Sequence, residues 1–307
     1  MPTGSRGWRL RRLLGAVLIL VPAWPVLAAL NVFACEPEWG SLAETLGADQ
    51  VRVYTATTAL QDPHRIEARP SLIARARNAD LVVCSGAELE LGWLPLLQAQ
   101  SGNPRIQPGQ PGYFEAASVV PLLERPARLD RSLGDVHASG NPHIHLDPRN
   151  IERVAAALSE RMAELDPAQA AHYRQRAQAF LARWGEAIQR WERQAAPLKG
   201  MPVVVHHRDM SYLNNWLGLR EVGALEPKPG LPPSTAHLTQ LVDQLKRTPA
   251  KAVMRAAYND PRPAEWLAGR AGIPAVMLPY TVGGTAQAKD LFGLYDDTLA
   301  RLLSVAR

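Results

Sequence analysis

Twice along this 307-residue chain, short β-branched and apolar runs alternate with helical patterns, and one long helical stretch separates the two series. Such alternation is the signature of βαβ units, whose strands run parallel because each crossover helix returns the chain to the same end of the sheet. In the first series residues 31–34, 51–54 and 81–83 read as strands, with helices over 39–46, 70–78 and 89–97. The second has strands over 202–205, 221–225, 250–254 and 275–278, and helices over 210–217, 234–246, 263–272 and on to Leu303. Residues 107–139 between them hold several prolines and glycines with no clear period, a long connection of the kind that is usually functional or mobile. Helix resumes at Pro148 and, after Asp166-Pro167, runs to about Gln194. There Phe180, Trp184, Ile188 and Trp191 recur at spacings of four, four and three, one apolar stripe on a single face. At 1.5 Å per residue that helix would be roughly 40 Å long, enough to brace two lobes. The expectation is an α/β fold with two Rossmann-like lobes of parallel sheet, 29–165 and 196–307, joined by a linking helix over 166–195.

The first 28 residues read differently. Arg6, Arg9, Arg11 and Arg12 precede an apolar stretch from Leu13 to Trp24, and Val26-Leu27-Ala28 offers the residues a signal peptidase reads. The apolar run is broken by Pro22 and Pro25 and falls short of the ~20 residues of a spanning helix, so a leader cleaved after Ala28 is expected rather than an anchor. The mature protein would then be soluble and periplasmic. The leader's four arginines account for all but +1 of the formal charge of +5, so bulk charge gives a nucleic-acid surface no support. A hydrophobic fraction of 47% excludes disorder.

Only Cys35 and Cys84 are present, too few for a thiolate zinc cluster. Both end short apolar runs that parallel strands would bring together. In an oxidising compartment they form one disulfide or remain two buried thiols.

The chain has no G-x-G-x-x-G after a strand, no phosphate loop, no G-x-S-x-G elbow and no H-E-x-x-H helix. What carries chemistry is histidine. Five of the eight stand in loops beside strands: His64 in Asp62-Pro63-His64, His143 and His145 in Asn141-Pro142-His143-Ile144-His145, and His206-His207 directly after Val203-Val204-Val205. Neutral imidazole is a good ligand for a borderline cation such as zinc, and three from separate loops at strand ends can converge with Zn–N near 2.0–2.1 Å. The prolines before His64 and His143 stiffen those turns.

Four stretches resemble the zinc and manganese solute-binding proteins of ABC importers, the cluster A-I family. They are Asp62-Pro63-His64 with Arg69-Pro70-Ser71 and Ala79-Asp80-Leu81-Val82-Val83; Asn141 to Pro148; His207 with Tyr212 and Gly218-Leu219; and Glu226-Pro227-Lys228-Pro229-Gly230. The resemblance spans essentially the whole mature chain. It implies metal ligands at His64, His143 and His207 in the cleft between lobes, with His145 and His206 as neighbouring or packing residues. His172 and His237 read as surface or capping residues, and His137 stands where zinc-type relatives often carry a histidine-rich tract, for which one histidine is a poor substitute. The chain departs from the family at the fourth ligand, where many relatives have an aspartate and this sequence places Thr281. Water, Asp290 or Glu67 would then complete the shell. Three neutral imidazoles leave the full +2 of the ion in the cleft, so a nearby acid would help.

Three imidazoles favour Zn²⁺ over Mn²⁺, which prefers carboxylate oxygens. Since imidazole binds only unprotonated, affinity should fall below about pH 6. The resemblance implies a monomeric binding protein, not an enzyme, that delivers zinc to membrane permease subunits, with a periplasmic metallochaperone as a further candidate partner and no nucleic-acid partner. A rival from another class is a zinc hydrolase or hydratase with an open fourth position, for which no carboxylate is placed by motif as a base.

Overall fold

Parallel pairing organises the chain into two four-stranded sheets. In this computed structural model, which describes residues 29–126 and 137–306 with Met1, Thr3 and Gly4, the first sheet comprises β1 (Leu30–Ala34), β2 (Val51–Thr55), β3 (Leu81–Cys84) and β4 (Tyr113–Glu115), in the order β2-β1-β3-β4. Apart from those three residues, the leader expected over 1–28 lies outside the described residues. The second sheet comprises β5 (Pro202–Val205), β6 (Arg220–Ala224), β7 (Ala252–Ala256) and β8 (Ala275–Leu278), in the order β6-β5-β7-β8. Every pairing is parallel, with Val32 opposite Leu81 and Val203 opposite Ala252. Each residue of β3 is buried, as a central parallel strand covered by helices on both faces requires.

The crossovers are α1 (Pro37–Gly47), α2 (Pro70–Arg77) and α3 (Leu94–Ser101) in the first lobe. In the second they are α6 (Ser211–Leu217), α7 (Thr235–Arg247) and α8 (Pro261–Ala271), followed by the closing α9 (Leu291–Val305). Proline sits in the first turn of α1, α2, α3 and α8, where its missing N–H costs nothing. Two elements differ from expectation. Residues 89–93 are turns, because the Glu90 carboxylate bends back to accept from the Ser85 and Gly86 amides instead of continuing a helix. The irregular stretch after Gln107 contains β4, three residues pairing with β3, too short to show alternation in sequence.

Between the sheets lie α4 (Pro148–Leu165) and α5 (Ala170–Gln194). At 25 residues α5 is about 38 Å long, a little under the expectation. It braces both lobes. Near its start His172 Nε2 stands 3.0 Å from the Gly47 carbonyl and Arg176 donates to the Thr45 carbonyl, both on α1. Near its end Trp191 donates to Asp296 on α9 at 2.6 Å, and midway along Trp184 donates to the Pro148 carbonyl of α4 at 2.8 Å. The expected stripe becomes an aromatic spine in which Trp184 meets Phe180, Trp191, Phe292 and Tyr295 with ring centroids 4.8–5.5 Å apart.

In each sheet the first strand is internal, so chain order reverses beside it and leaves a switch point at the carboxyl ends, β1/β3 and β5/β7. At β1/β3 a disulfide joins Cys35 to Cys84, with Cα atoms 4.9 Å apart, which settles the alternative the sequence left open. Glu36 and Glu90 fill the same place, both accepting from the Ser85 amide, and burial first, then each other's charge, holds Glu36 well above the usual carboxylate range.

Candidate metal centre

His64, His143 and His207 come from three separate loops, each fixed by its own local chemistry. Asp62 forms a side-chain turn, accepting from the His64 amide at 3.0 Å, while Trp93 donates to the Pro63 carbonyl and pins the loop from beneath. Asn141 does the same for the second loop, accepting from the His143 amide at 3.0 Å. Asp147 then caps α4 and Pro148 opens it. His207 follows the end of β5 by two residues, at the carboxyl edge where α/β sheets present ligands. The Asn141 side-chain amide donates to the Arg208 carbonyl at 2.9 Å, tying the second loop to the third across the lobes.

The rings converge. Centroids lie 5.3 Å apart for His64 and His143, and 5.8 Å from His207 to either of them. Each ring also has its Nδ1 engaged by an oxygen: His64 by Asp62 at 2.8 Å, His143 by the Tyr280 hydroxyl at 2.8 Å, His207 by Glu226 at 2.6 Å. With the proton on Nδ1, the lone pair is left on Nε2, the arrangement in which an outer oxygen orients a metal-ligating imidazole and raises its basicity. Nε2 of His64 is buried without a hydrogen-bond partner. A fourth ring, His137, stands 5.4 Å from His64, and the ligand atoms of His64, His137 and His143 all lie within 4.8 Å of one another.

Burial is the main electrostatic fact here. Desolvation first, then the neighbouring imidazoles of His64 and His207, push His143 well below the ordinary histidine value, and the same causes lower His137 to about 4. His207 goes the other way. Burial alone would depress it, but the hydrogen bond it donates to Glu226 and the charges of Asp209, Glu226 and Asp62 outweigh that and raise it. Asp62 resists its own desolvation because His64 hydrogen-bonds to it, which holds its carboxyl below the usual range. Asp62 and Glu226 thus supply two negative charges directly behind the rings, enough to balance a divalent cation without a carboxylate in contact with it.

The other sequence candidates fall elsewhere. Thr281 is buried and its hydroxyl donates to Glu38, while Asp290 caps α9 and Glu67 is exposed. His145 packs against Tyr280, its Nε2 3.1 Å from the Tyr280 carbonyl, and His206 lines a cavity of about 520 Å³ beside His64 and His207. His237 stands 2.9 Å from the Ala224 carbonyl. Sequence reasoning gave no role to Glu226 or Tyr280. Glu226 could have been found, since it lies two residues past the end of β6, inside a turn whose Gly230 amide donates to its carboxylate at 2.7 Å. Nothing in the sequence marks Tyr280.

Residues 32–305 match the family described as ZnuA, the periplasmic zinc-uptake complex component A. The chain is similar to the high-affinity zinc uptake system protein ZnuA of Yersinia pestis, 26% identical over 278 residues that cover 84% of each chain. It is also similar to the protein of that name from Brucella abortus, 30% identical over 124 residues, a match spanning 39% of this chain and only 36% of that relative. A crystal structure of ZnuA shares the fold, with a TM-score of 0.73 at 24% identity, covering 91% of this chain and 98% of that one.

Proposed function

The chain belongs to the periplasmic zinc-uptake complex component A family, and from that premise we propose that it is the extracytoplasmic binding subunit of an ABC importer, taking Zn²⁺ through His64, His143 and His207 and releasing it to membrane permease subunits. One observation carries the reading: three imidazoles from distant loops meet, each with Nδ1 held by an oxygen. Imidazole nitrogens favour zinc over manganese. The proposal includes export by the leader over 1–28, a periplasmic location, a monomer, and a periplasmic metallochaperone as a donor. No chemical step is assigned. The carboxylates of the site are engaged, Asp62 and Glu226 by ring nitrogens and Asp209 by the Tyr258 hydroxyl at 3.0 Å, so none of these three stands free as the base a hydrolase would use.

Purified protein should hold one zinc per chain, and zinc should raise its melting temperature in a way that a chelator reverses. At free zinc a thousandfold above Kd, linkage gives about 4 kcal/mol of stabilisation. No zinc-dependent shift in thermal denaturation would rule the reading out.

Acidity should weaken binding sooner than the sequence suggests. Protons compete with the metal at each ligand, and the surrounding carboxylates raise His207 while burial holds His143 neutral to much lower pH. As pH falls, His207 protonates before His143. Affinity should therefore begin to drop above the ordinary histidine value rather than below pH 6, by about tenfold per pH unit while one proton competes. Chelator competition between pH 5.5 and 8 measures the slope, and a flat profile contradicts the assignment of His207.

A further inference from the structure

We propose that the protein takes its zinc as a complex with one small α-amino acid, whose amine and carboxylate meet the ion from a cavity beside the imidazoles. The inference deepens the zinc reading above and rests on it. A cavity of about 520 Å³ has His64 and His207 on its wall, so an ion on those rings faces into it. A bare ion with a water needs far less. A space of roughly 10–15 Å³ holds one water, whereas sites for small organic molecules run from about 300 to 1,000 Å³.

The surroundings suit a polar organic occupant. Pro232, Pro233 and Pro263 give part of the wall a fixed backbone. Arg65, from the first lobe, donates to the Gly230 carbonyl of the second at 3.1 Å, so a guanidinium bridges the lobes beside the cavity. His206 lines the same space, is only 5% exposed, and has an Nδ1 with no hydrogen-bond partner. A buried ring nitrogen left unpaired is costly, and a polar ligand next to it removes that cost.

Charge sets the chemical class. Three carboxylates, Asp62, Glu226 and Asp260, and two guanidiniums, Arg65 and Arg262, line the cavity. A divalent ion on neutral imidazoles then leaves one positive charge in excess, which a monoanion neutralises. Both oxygens of Asp260 already engage Arg262, whereas Arg65 stands 3.7 Å from Asp62, which makes Arg65 the guanidinium for an incoming carboxylate. An α-amino acid brings that single charge together with an amine nitrogen, a donor zinc favours, and the amine releases its proton to solvent as it binds. Three imidazoles, one amine and one carboxylate oxygen make a five-coordinate shell, which zinc accepts.

The test titrates the whole mature chain, loaded with zinc, with glycine, L-histidine and acetate by calorimetry, beside the metal-free protein, and weighs the products by native mass spectrometry. One equivalent of either amino acid should bind the loaded protein and appear as a ternary mass. The metal-free protein should bind neither, and acetate, which lacks the amine, should not saturate the site at concentrations at which glycine does. Arg65→Gln should weaken amino-acid binding by about tenfold or more, as loss of a charged hydrogen bond does. A loaded protein that binds neither amino acid, amino acids that only strip the zinc, acetate binding as well as glycine, or an Arg65→Gln protein that binds as tightly as the wild type overturns the inference and leaves the zinc reading intact. Should the variant melt early in its metal-free form, the wild-type titrations decide. A chain that takes up no zinc overturns both.

Discussion

Replacing His143 with alanine is expected to reduce zinc affinity by roughly a hundredfold. Four-ligand zinc sites are worth about 10–16 kcal/mol in all, so one imidazole corresponds to about 3 kcal/mol. His143 is the sharpest single test of the centre because it is the most enclosed of the three proposed ligands, 1% exposed against 8% for His207. Its loss also strips the Tyr280 hydroxyl of its imidazole partner. Tyr280 holds a left-handed backbone, φ 67°, which a bulky side chain adopts only when its surroundings impose it. Competition against a chromophoric chelator gives the affinity, and wild-type affinity in the variant would remove His143 from the shell.

Trp184→Ala should produce the largest loss of stability, about 3–5 kcal/mol, as deletion of a fully buried aromatic does. The side chain touches four other aromatic rings, and its indole N–H satisfies the Pro148 carbonyl, which would be left without it. For a chain of this size the melting temperature should fall by roughly 10 °C. Zinc affinity should change far less, because the ring contacts of Trp184 are with Phe180, Trp191, Phe292 and Tyr295 and not with the three imidazoles. A variant that melts like the wild type would show that α5 does not brace the lobes.

Much of this architecture was legible because it is periodic. Strands β5 and β8 begin and end where the apolar runs do, and the aromatic stripe on α5 announces a buried face before any coordinates. His207 and His64 were legible because loops at strand ends are where such sheets place ligands. What was hidden depends on distance in space. Tyr280 reaches His143 across 137 residues, and Glu226 reaches His207 across 19, and neither separation has a period. The place of His137 beside His64 was hidden because a lone histidine near glycine and proline carries no pattern. Its unpaired buried nitrogen is something only a fold can reveal.

The disulfide between Cys35 and Cys84 has a consequence for what this architecture can carry. Sheets of this topology commonly host nucleotides and other organic cofactors in the gap where strand order reverses. In the first lobe that gap is occupied by covalently joined sulfurs and two enclosed carboxyl groups, with Cys35, Cys84 and Ser85 fully shielded from solvent. An adenine or sugar ring has no room there. The berth that serves so many enzymes of the same design is welded shut on this lobe, and the open cavity lies instead beside His64, His206 and His207.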